Sequence, residues 1–591
     1  MKRPLIILLS SFMLAPAFAN DSGYLSLSND QLQTKCTEND GTACVVLGLK
    51  YQKASNYTKA NQLYQKACDL GNGSGCTNLG RSFEQGTGGE KSYRKANALF
   101  QKACDLKDGL GCFRLGYNFE EGKGVRQSYT KADELYQKAC GFEYGEACLN
   151  LGRNYQHGNG VERSFAKANE LYQKACDLEE KSGCIYLGFN YENGRGVEKS
   201  YGKANALFQK ACDLNDGSGC SILALNYENG EGVEKSYRKA NTLFQKGCDL
   251  KDSFGCFRLG VNFEDGKGVR QSYKKANELF QKACEIGYGG GCLSLGFNYQ
   301  NSNGVEKSLA KANELYQKAC DLNNGRGCAT LGFNYENGIG VEKSIRNANA
   351  LYQKACDLNY SGGCAPLGFN YENGKGVTRS LAKAIQLYQK ACNLNDGWGC
   401  TTLAAFYATG NGIEKSIEKA NELYRKGCDL ENGVGCFNLG ANYEKGLELK
   451  QSVTRANELY QKACDLGTGT GCFNLGINYE NGRGVPQSPE NANKLYQKAC
   501  DLKEGLGCFN LGVNYENGRG IAKSLKNAFD MYQKACNLGE INGCFNLGTF
   551  YEEGKGVKQS YSNAKEFYGK TCDLGDQDGC DNYARLNKQG H

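Results

Sequence analysis

The apolar positions of this chain fall into two alternating helical patterns that start again at a fixed interval. The stretch Gly183 to Leu214 reads GCIYLGFNYENGRGVEKSYGKANALFQKACDL. Its first half places Cys184, Leu187, Gly188 and Tyr191 at i, i+3, i+4 and i+7, one face of a helix, here helix A. Helix A ends at Asn193-Gly194, where glycine takes the left-handed C′ conformation and Val197 offers the apolar contact beyond it. Ser200 is the N-cap of a second helix, helix B, which runs to about Leu214 with Ala204, Leu207, Phe208, Ala211 and Cys212 on its apolar face.

The same two helices recur every 36 residues, and a period of that length is the mark of a solenoid. The capping serine returns at Ser92, Ser128, Ser164, Ser236, Ser272, Ser308 and onward to Ser560, and the shortened first repeat uses Asn56. Pro489 falls at N1, where a missing N–H costs nothing, and Pro366 is expected in the first turn of its helix A. Gly188 and Ala204 are small at matching heights and let the two helices approach. Leu187, Tyr191, Leu207 and Phe208 fill the remaining space and reach the next repeat. The predicted fold is all-α, a right-handed α/α superhelical solenoid of about fifteen repeats, with A helices on the concave side and B helices outside. Expected boundaries are a signal peptide over 1–19, an N-terminal cap half-repeat over 20–43, the solenoid over 44–579, and a cap helix and tail over 580–591.

The first residues break the pattern. Lys2 and Arg3 precede a short apolar core, Leu5 to Leu14, and Ala17-Phe18-Ala19 is an A-x-A cleavage site, with Asn20 the first mature residue. That core is too short to span a membrane. No cysteine follows the cleavage site to carry a lipid anchor, so the chain reads as exported, periplasmic or secreted. Formal charge is +7; without Lys2 and Arg3 it is +5, spread over the whole array, which gives no electrostatic footprint for nucleic acid.

Thirty-two cysteines in an exported chain suggest disulfides. No C-x-x-C occurs and only His157 and His591 are present, so no metal site and no cofactor are expected. The cysteines come in pairs with seven residues between them. Two bonding schemes are open geometrically: within a hairpin, as Cys184 to Cys212, or across the tight loop into the next repeat, as Cys212 to Cys220. The first scheme strands Cys36 and Cys580, whereas the second uses every cysteine. The second therefore gives Cys36–Cys44, Cys68–Cys76, Cys104–Cys112, Cys140–Cys148, Cys176–Cys184, Cys212–Cys220, Cys248–Cys256 and Cys284–Cys292. It continues with Cys320–Cys328, Cys356–Cys364, Cys392–Cys400, Cys428–Cys436, Cys464–Cys472, Cys500–Cys508, Cys536–Cys544 and Cys572–Cys580.

The pattern LGxxYxxGxGVxxxxxKAxxLYxKAC, carried here by residues such as Leu187, Gly188, Tyr191, Gly194, Gly196, Val197, Lys203 and Ala204, resembles the Sel-one-like repeat, a relative of the tetratricopeptide repeat. With a C-x7-C in every repeat and a signal peptide, the chain resembles the Helicobacter-type cysteine-rich secreted proteins over about residues 36 to 588. The resemblance implies an all-α superhelix with one disulfide between successive hairpins. It also implies binding of penicillin, slow hydrolysis of β-lactams, and contact with host or envelope proteins.

Chemistry of its own is scarce. Serine β-lactamases carry S-x-x-K at the start of a helix. Ser92 with Lys95, Ser128 with Lys131, Ser164 with Lys167 and Ser200 with Lys203 match that spacing, yet they recur as N-caps and the companion motifs S-D-N and K-T-G are absent. No catalytic residue is assigned. A more suggestive feature is the position six after the helix-A cysteine, which is asparagine at Asn118, Asn154, Asn190, Asn226, Asn262, Asn298, Asn334, Asn370, Asn442, Asn478 and Asn514. One turn earlier, asparagine returns at Asn78, Asn150, Asn438, Asn474, Asn510 and Asn546. An amide both donates and accepts. A row of them along a concave groove is suited to the backbone of an extended peptide, with Phe189, Phe297, Phe333 and Phe369 forming pockets beside it. A row of bonds between adjacent repeats would need the same residues. Ser82, Phe406 and Phe550 depart from the pattern, and the single Trp398 sits in a loop between repeats.

The reading is an exported scaffold that binds proteins or extended peptides, with β-lactams or cell-wall fragments as further candidate ligands. The alternatives are a weak β-lactam hydrolase and a purely structural envelope component. No nucleic acid and no membrane span are expected.

Overall fold

A computed structural model describes residues 22–591, so the expected signal peptide lies outside the described residues. Those residues form 33 helices and no strand. The chain divides into two compact units, one ending at Ile286 and one beginning at Gly287. Each unit is a stack of antiparallel hairpins built from helices of 13 residues, seven hairpins in the first and eight in the second. A short pair of helices, Ser22–Leu25 and Asn29–Thr37, precedes the first hairpin, which opens at Gly41. The helix Gln577–Lys588 follows the last.

Local chemistry sets every boundary. Helix A of the reference repeat is Lys181–Asn193 and helix B is Tyr201–Asp213. Gly194 closes helix A at φ 68°, in the left-handed region. Ser200 accepts the Lys203 backbone N–H and opens helix B. Between helix B and the next helix A the chain turns in three residues. Asp216 N donates to Ala211 O at 3.0 Å, and the Asp216 carboxylate caps the following helix by accepting from Gly219 N at 2.9 Å.

Helix A begins earlier than its cysteine, which corrects one expectation. Pro366 is the sixth residue of the helix Ser361–Asn373, beyond the first turn. Its missing N–H leaves the Gly362 carbonyl without the usual helical donor.

The core lies between the two helices of each hairpin and between neighbouring hairpins. Phe208, Ala204, Ala211 and Leu187 are buried, and their equivalents are buried in repeat after repeat. The hairpin closes tightly because Gly188 has no side chain: a Cβ there would stand 2.5 Å from Cε1 of Phe208. Fifteen disulfides lie within one unit or the other, each joining cysteines eight apart with Cα atoms 4.4–4.8 Å from each other. Each ties the end of one helix to the start of the next, helix B to helix A between hairpins. No described cysteine is free.

Candidate functional site

The eleven asparagines of the helix-A stripe do not face a groove. Ten are buried, Asn118 to 0% and Asn154 to 3%, and Asn442 is half-buried. Their amides serve the fold. Asn118 Nδ2 donates to Asn97 Oδ1 at 2.7 Å, 21 residues back on the preceding helix B. Asn97 Nδ2 donates in turn to the Lys123 carbonyl at 2.8 Å, in the loop that follows Asn118. The same amide-to-amide bond joins Asn190 to Asn169, Asn226 to Asn205, Asn262 to Asn241, Asn334 to Asn313 and Asn370 to Asn349, all at 2.6–2.8 Å. It joins Asn442 to Asn421, Asn478 to Asn457 and Asn514 to Asn493 as well, and each of these helix-B asparagines donates to its loop carbonyl at 2.7–2.9 Å. Asn154 donates to Asp133, and Asn298 accepts from Asn303 at 3.2 Å. A buried amide seeks partners inside the protein; the Nδ2 groups find them between repeats, while Oδ1 of Asn118, Asn226, Asn262 and Asn370 is buried without a hydrogen-bond donor. The peptide-binding assignment of these asparagines is therefore corrected: their hydrogen-bonding groups are turned inward.

The relay explains two of the three departures from the pattern. Where helix B has Ile385 in place of asparagine, the residue 21 positions on is Phe406. Where it has Phe529, the partner is Phe550. Both pairs bury apolar surface instead of exchanging amides. The relay ends in lysine on both sides: Lys50 holds the helix-A position of the first hairpin and donates to Leu27 O at 2.6 Å. Lys565 holds the helix-B position of the last and donates to Asn587 Oδ1 at 2.9 Å.

The repeated serines are caps. Ser92, Ser128, Ser164 and Ser200 each accept the backbone N–H of the lysine three residues on, at 3.3 Å. The side chains of those lysines lie over aromatic rings of the preceding helix A, 5.3–5.5 Å from the centroids.

The helix-A surface is open at two places, one residue before the stripe, as at Phe333 and Phe369, and two residues before the helix cysteine, as at Trp398 and Val434. In the second unit Phe333 is 53% exposed, Phe369 37%, Trp398 42% and Val434 49%, on the helices Gly325–Asn337, Ser361–Asn373, Gly397–Thr409 and Gly433–Lys445. The Trp398 ring centroid lies 6.3 Å from that of Phe369. Gly362 occupies the place in its repeat that Trp398 holds in the next, which leaves Phe333 uncovered. Arg326 holds the same place one repeat earlier and stacks over Phe297 at 5.2 Å, while Lys375 lies 4.7 Å over Phe369. Phe189 and Phe297 are half-buried, each edge-on to the ring of its own hairpin. The helix Gly397–Thr409 has no charged residue, and Ala408 stands where neighbouring helices carry Glu372 and Glu444. Those carboxylates accept phenol hydrogens from Tyr388 at 2.8 Å and Tyr460 at 2.7 Å, and burial pushes both phenols up, so they remain donors. Trp398 thus stands on a helix without charge, between two helices that each carry a carboxylate, with the Lys375 ammonium over Phe369 beside it.

A repeat of this spacing, with this hairpin, is matched by a family model for the Sel1 repeat in fifteen consecutive segments from residue 44 to 576. The chain is a Sel1-repeat protein. It is 46% identical over 54 residues to a Helicobacter pylori protein named "Putative beta-lactamase HcpC"; that match spans 9% of this chain and 19% of HcpC. The Sel1-repeat chain resembles the crystal structure of c5321, a protective antigen of uropathogenic Escherichia coli strains displaying an SLR fold. The TM-score is 0.51 and the identity 24%, over 77% of this chain and 97% of that one. It also aligns with the Helicobacter pylori cysteine rich protein B at 41% identity, over 23% of this chain and 97% of that one, with a TM-score of 0.20. Among the described residues, no helix is long and apolar enough to cross a membrane.

The helix-B asparagines were the residues that sequence reasoning passed over. Their signal was present in the joint change of positions 21 apart, Asn with Asn, Ile385 with Phe406, and Phe529 with Phe550.

Proposed function

We propose that this Sel1-repeat protein is an exported scaffold, periplasmic or secreted, that holds a partner protein or extended peptide on the helix-A face of its second unit. The observation that carries the reading is the strip Phe333, Phe369, Trp398 and Val434, apolar and open in four successive repeats. Exposed aromatic anchors are the side chains that most often dominate binding energy, and exposed apolar surface that recurs along a face marks interaction sites. Export is supported by the cysteine set, which leaves no described thiol free, as expected in an oxidising compartment.

The test is photo-crosslinking from position 337, beside the strip, in the native extracytoplasmic fraction. The comparison is wild type against a chain with F333S, F369S and W398S. The substitutions are expected to reduce specific adducts at least about tenfold, with the thermal midpoint unchanged. Equal adducts from both chains would remove the strip from the reading; no adducts from either would remove the scaffold reading itself.

The name of the Helicobacter pylori relative supports a second reading, β-lactam hydrolysis. Product counted per molecule of oxidised protein separates the two. Many turnovers, lost on reductive unfolding, favour a hydrolase, and fewer than one excludes it.

A further inference from the structure

A pocket of about 430 Å³ opens in the first unit between the helices Tyr57–Asp69 and Gly73–Gln85 and the loop that carries Thr87, Gly88, Gly89 and Glu90. Two departures from the repeat hollow it out. At position 82 the repeat calls for asparagine, and the chain has Ser82, whose hydroxyl donates to Asn78 O at 3.2 Å. Asn61 on helix B still donates to the Thr87 carbonyl at 2.9 Å, but its Oδ1 is buried without a hydrogen-bond donor. At position 89 the repeat calls for a branched aliphatic residue, as at Val125, Val161, Val197 and Ile413, and the chain has Gly89. A Cβ built on Gly89 meets nothing within 4 Å. The pocket therefore lacks one carboxamide and one isopropyl group, each present in the neighbouring repeats. Leu79 and Phe83 supply an apolar wall, and the one charged lining residue is the acid Glu90.

We propose that this pocket binds a small aliphatic amide or amine. Its N–H is donated to Asn61 Oδ1, and its branched hydrocarbon body fills the space that valine fills elsewhere. A buried acceptor without a donor favours any ligand that brings one. The volume lies in the range of about 300–1,000 Å³ usual for ligand sites. The acceptor atom together with Glu90 disfavours a carboxylate in the same place. The proposal concerns a different unit from the aromatic strip, and it stands whether or not that strip binds a partner.

The test uses the full oxidised chain and three probes of one shape: isobutyramide, isobutylammonium and isobutyrate. Binding is followed by saturation-transfer NMR. Two variants restore the repeat and close the pocket: S82N, which returns the donor to Asn61, and G89V, placed in open space at a residue without positive φ. Saturable binding of the amide or the ammonium probe is expected, with isobutyrate at least about tenfold weaker. Both variants are expected to weaken binding about tenfold or more, with the thermal midpoint equal to wild type or higher. The proposal is overturned if neither donor probe binds the wild type saturably, if isobutyrate binds as well, or if binding persists in either variant.

Discussion

Asp133 occupies the helix-B relay position that is asparagine in most other repeats, and its replacement by asparagine offers a quantitative test of the relay. Its Oδ1 accepts from Asn154 at 2.6 Å, as an asparagine would. Its Oδ2 stands where the others present an NH2 group to the loop, and it is buried with no partner. Burial, with a smaller contribution from the Glu120 charge, pushes this carboxyl up to about 6 from 3.8. The folded chain thus holds the proton more tightly than the unfolded chain. The local stability is fully present below about pH 4, falls as pH rises through the interval to about 6, and is lost above it. A difference of 6 − 3.8 = 2.2 units, at about 1.36 kcal/mol each, sets the loss at about 3 kcal/mol. An amide does not titrate and carries the missing donor. D133N is therefore expected to strengthen this junction at pH 8 by about 2–3 kcal/mol and to change it little at pH 3.5. Unfolding of a long array is not a single two-state event, so the assay is hydrogen exchange of the amides in the helices Tyr129–Gly141 and Gly145–His157. After correction for intrinsic rates, wild-type protection there should decline by about 30- to 150-fold between pH 4 and pH 7. The decline should be absent in D133N. Lower protection in D133N than in wild type at pH 8, or wild-type protection that rises with pH, would refute the account.

Other substitutions probe the same architecture. N262A strands the Asn241 carbonyl oxygen and should cost about 1–3 kcal/mol at its junction, read by exchange in the helix Tyr237–Asp249. Introducing asparagine at 385 alone or at 406 alone should destabilise, and I385N with F406N together should recover at least half of the summed loss in a double-mutant cycle. Replacing Cys104 and Cys112 by alanine opens a loop of nine residues, which chain entropy values at about 2.6 kcal/mol, measurable by local proteolysis at that turn. G188A pushes a methyl group to 2.5 Å from the Phe208 ring and should cost about 1–3 kcal/mol, seen as faster exchange in its hairpin.

The fold was legible because its signals are local and repeated. Ser200 caps, Gly194 stops and Gly188 admits the Phe208 ring, and each can be read within a window of about 20 residues. Pro366 was placed a turn too early because the first three residues of helix A, such as Ser361 to Gly363, carry no apolar periodicity. The site was harder. Periodicity puts Asn118 on the face that carries the stripe, but it does not say how far the face is covered. That depends on Asn97, 21 residues away on another helix. Phe333 and Phe297 look alike in sequence. Their exposure differs because the next repeat brings Gly362 to one and Arg326 to the other.

The relay also fixes what an array of this kind can gain or lose. Each asparagine of helix B that faces an asparagine binds forward, to the helix A and the loop of the following repeat, so the chemically matched pair straddles the hairpin boundary. The module that can be copied or excised without leaving an orphaned amide is therefore helix B with the next helix A, a frame shifted by half a repeat from the hairpin. Cutting in that frame between two amide junctions, for instance between those of Asn205 and Asn241, joins like to like. A cut that separates Ile385 from Phe406 sets a hydrocarbon against an amide. Lysine at 50 and at 565 takes the relay position in the first and last hairpins and bonds outside the relay. Array length becomes a variable that recombination can tune in steps of 36 residues, provided that each new seam joins two amide junctions.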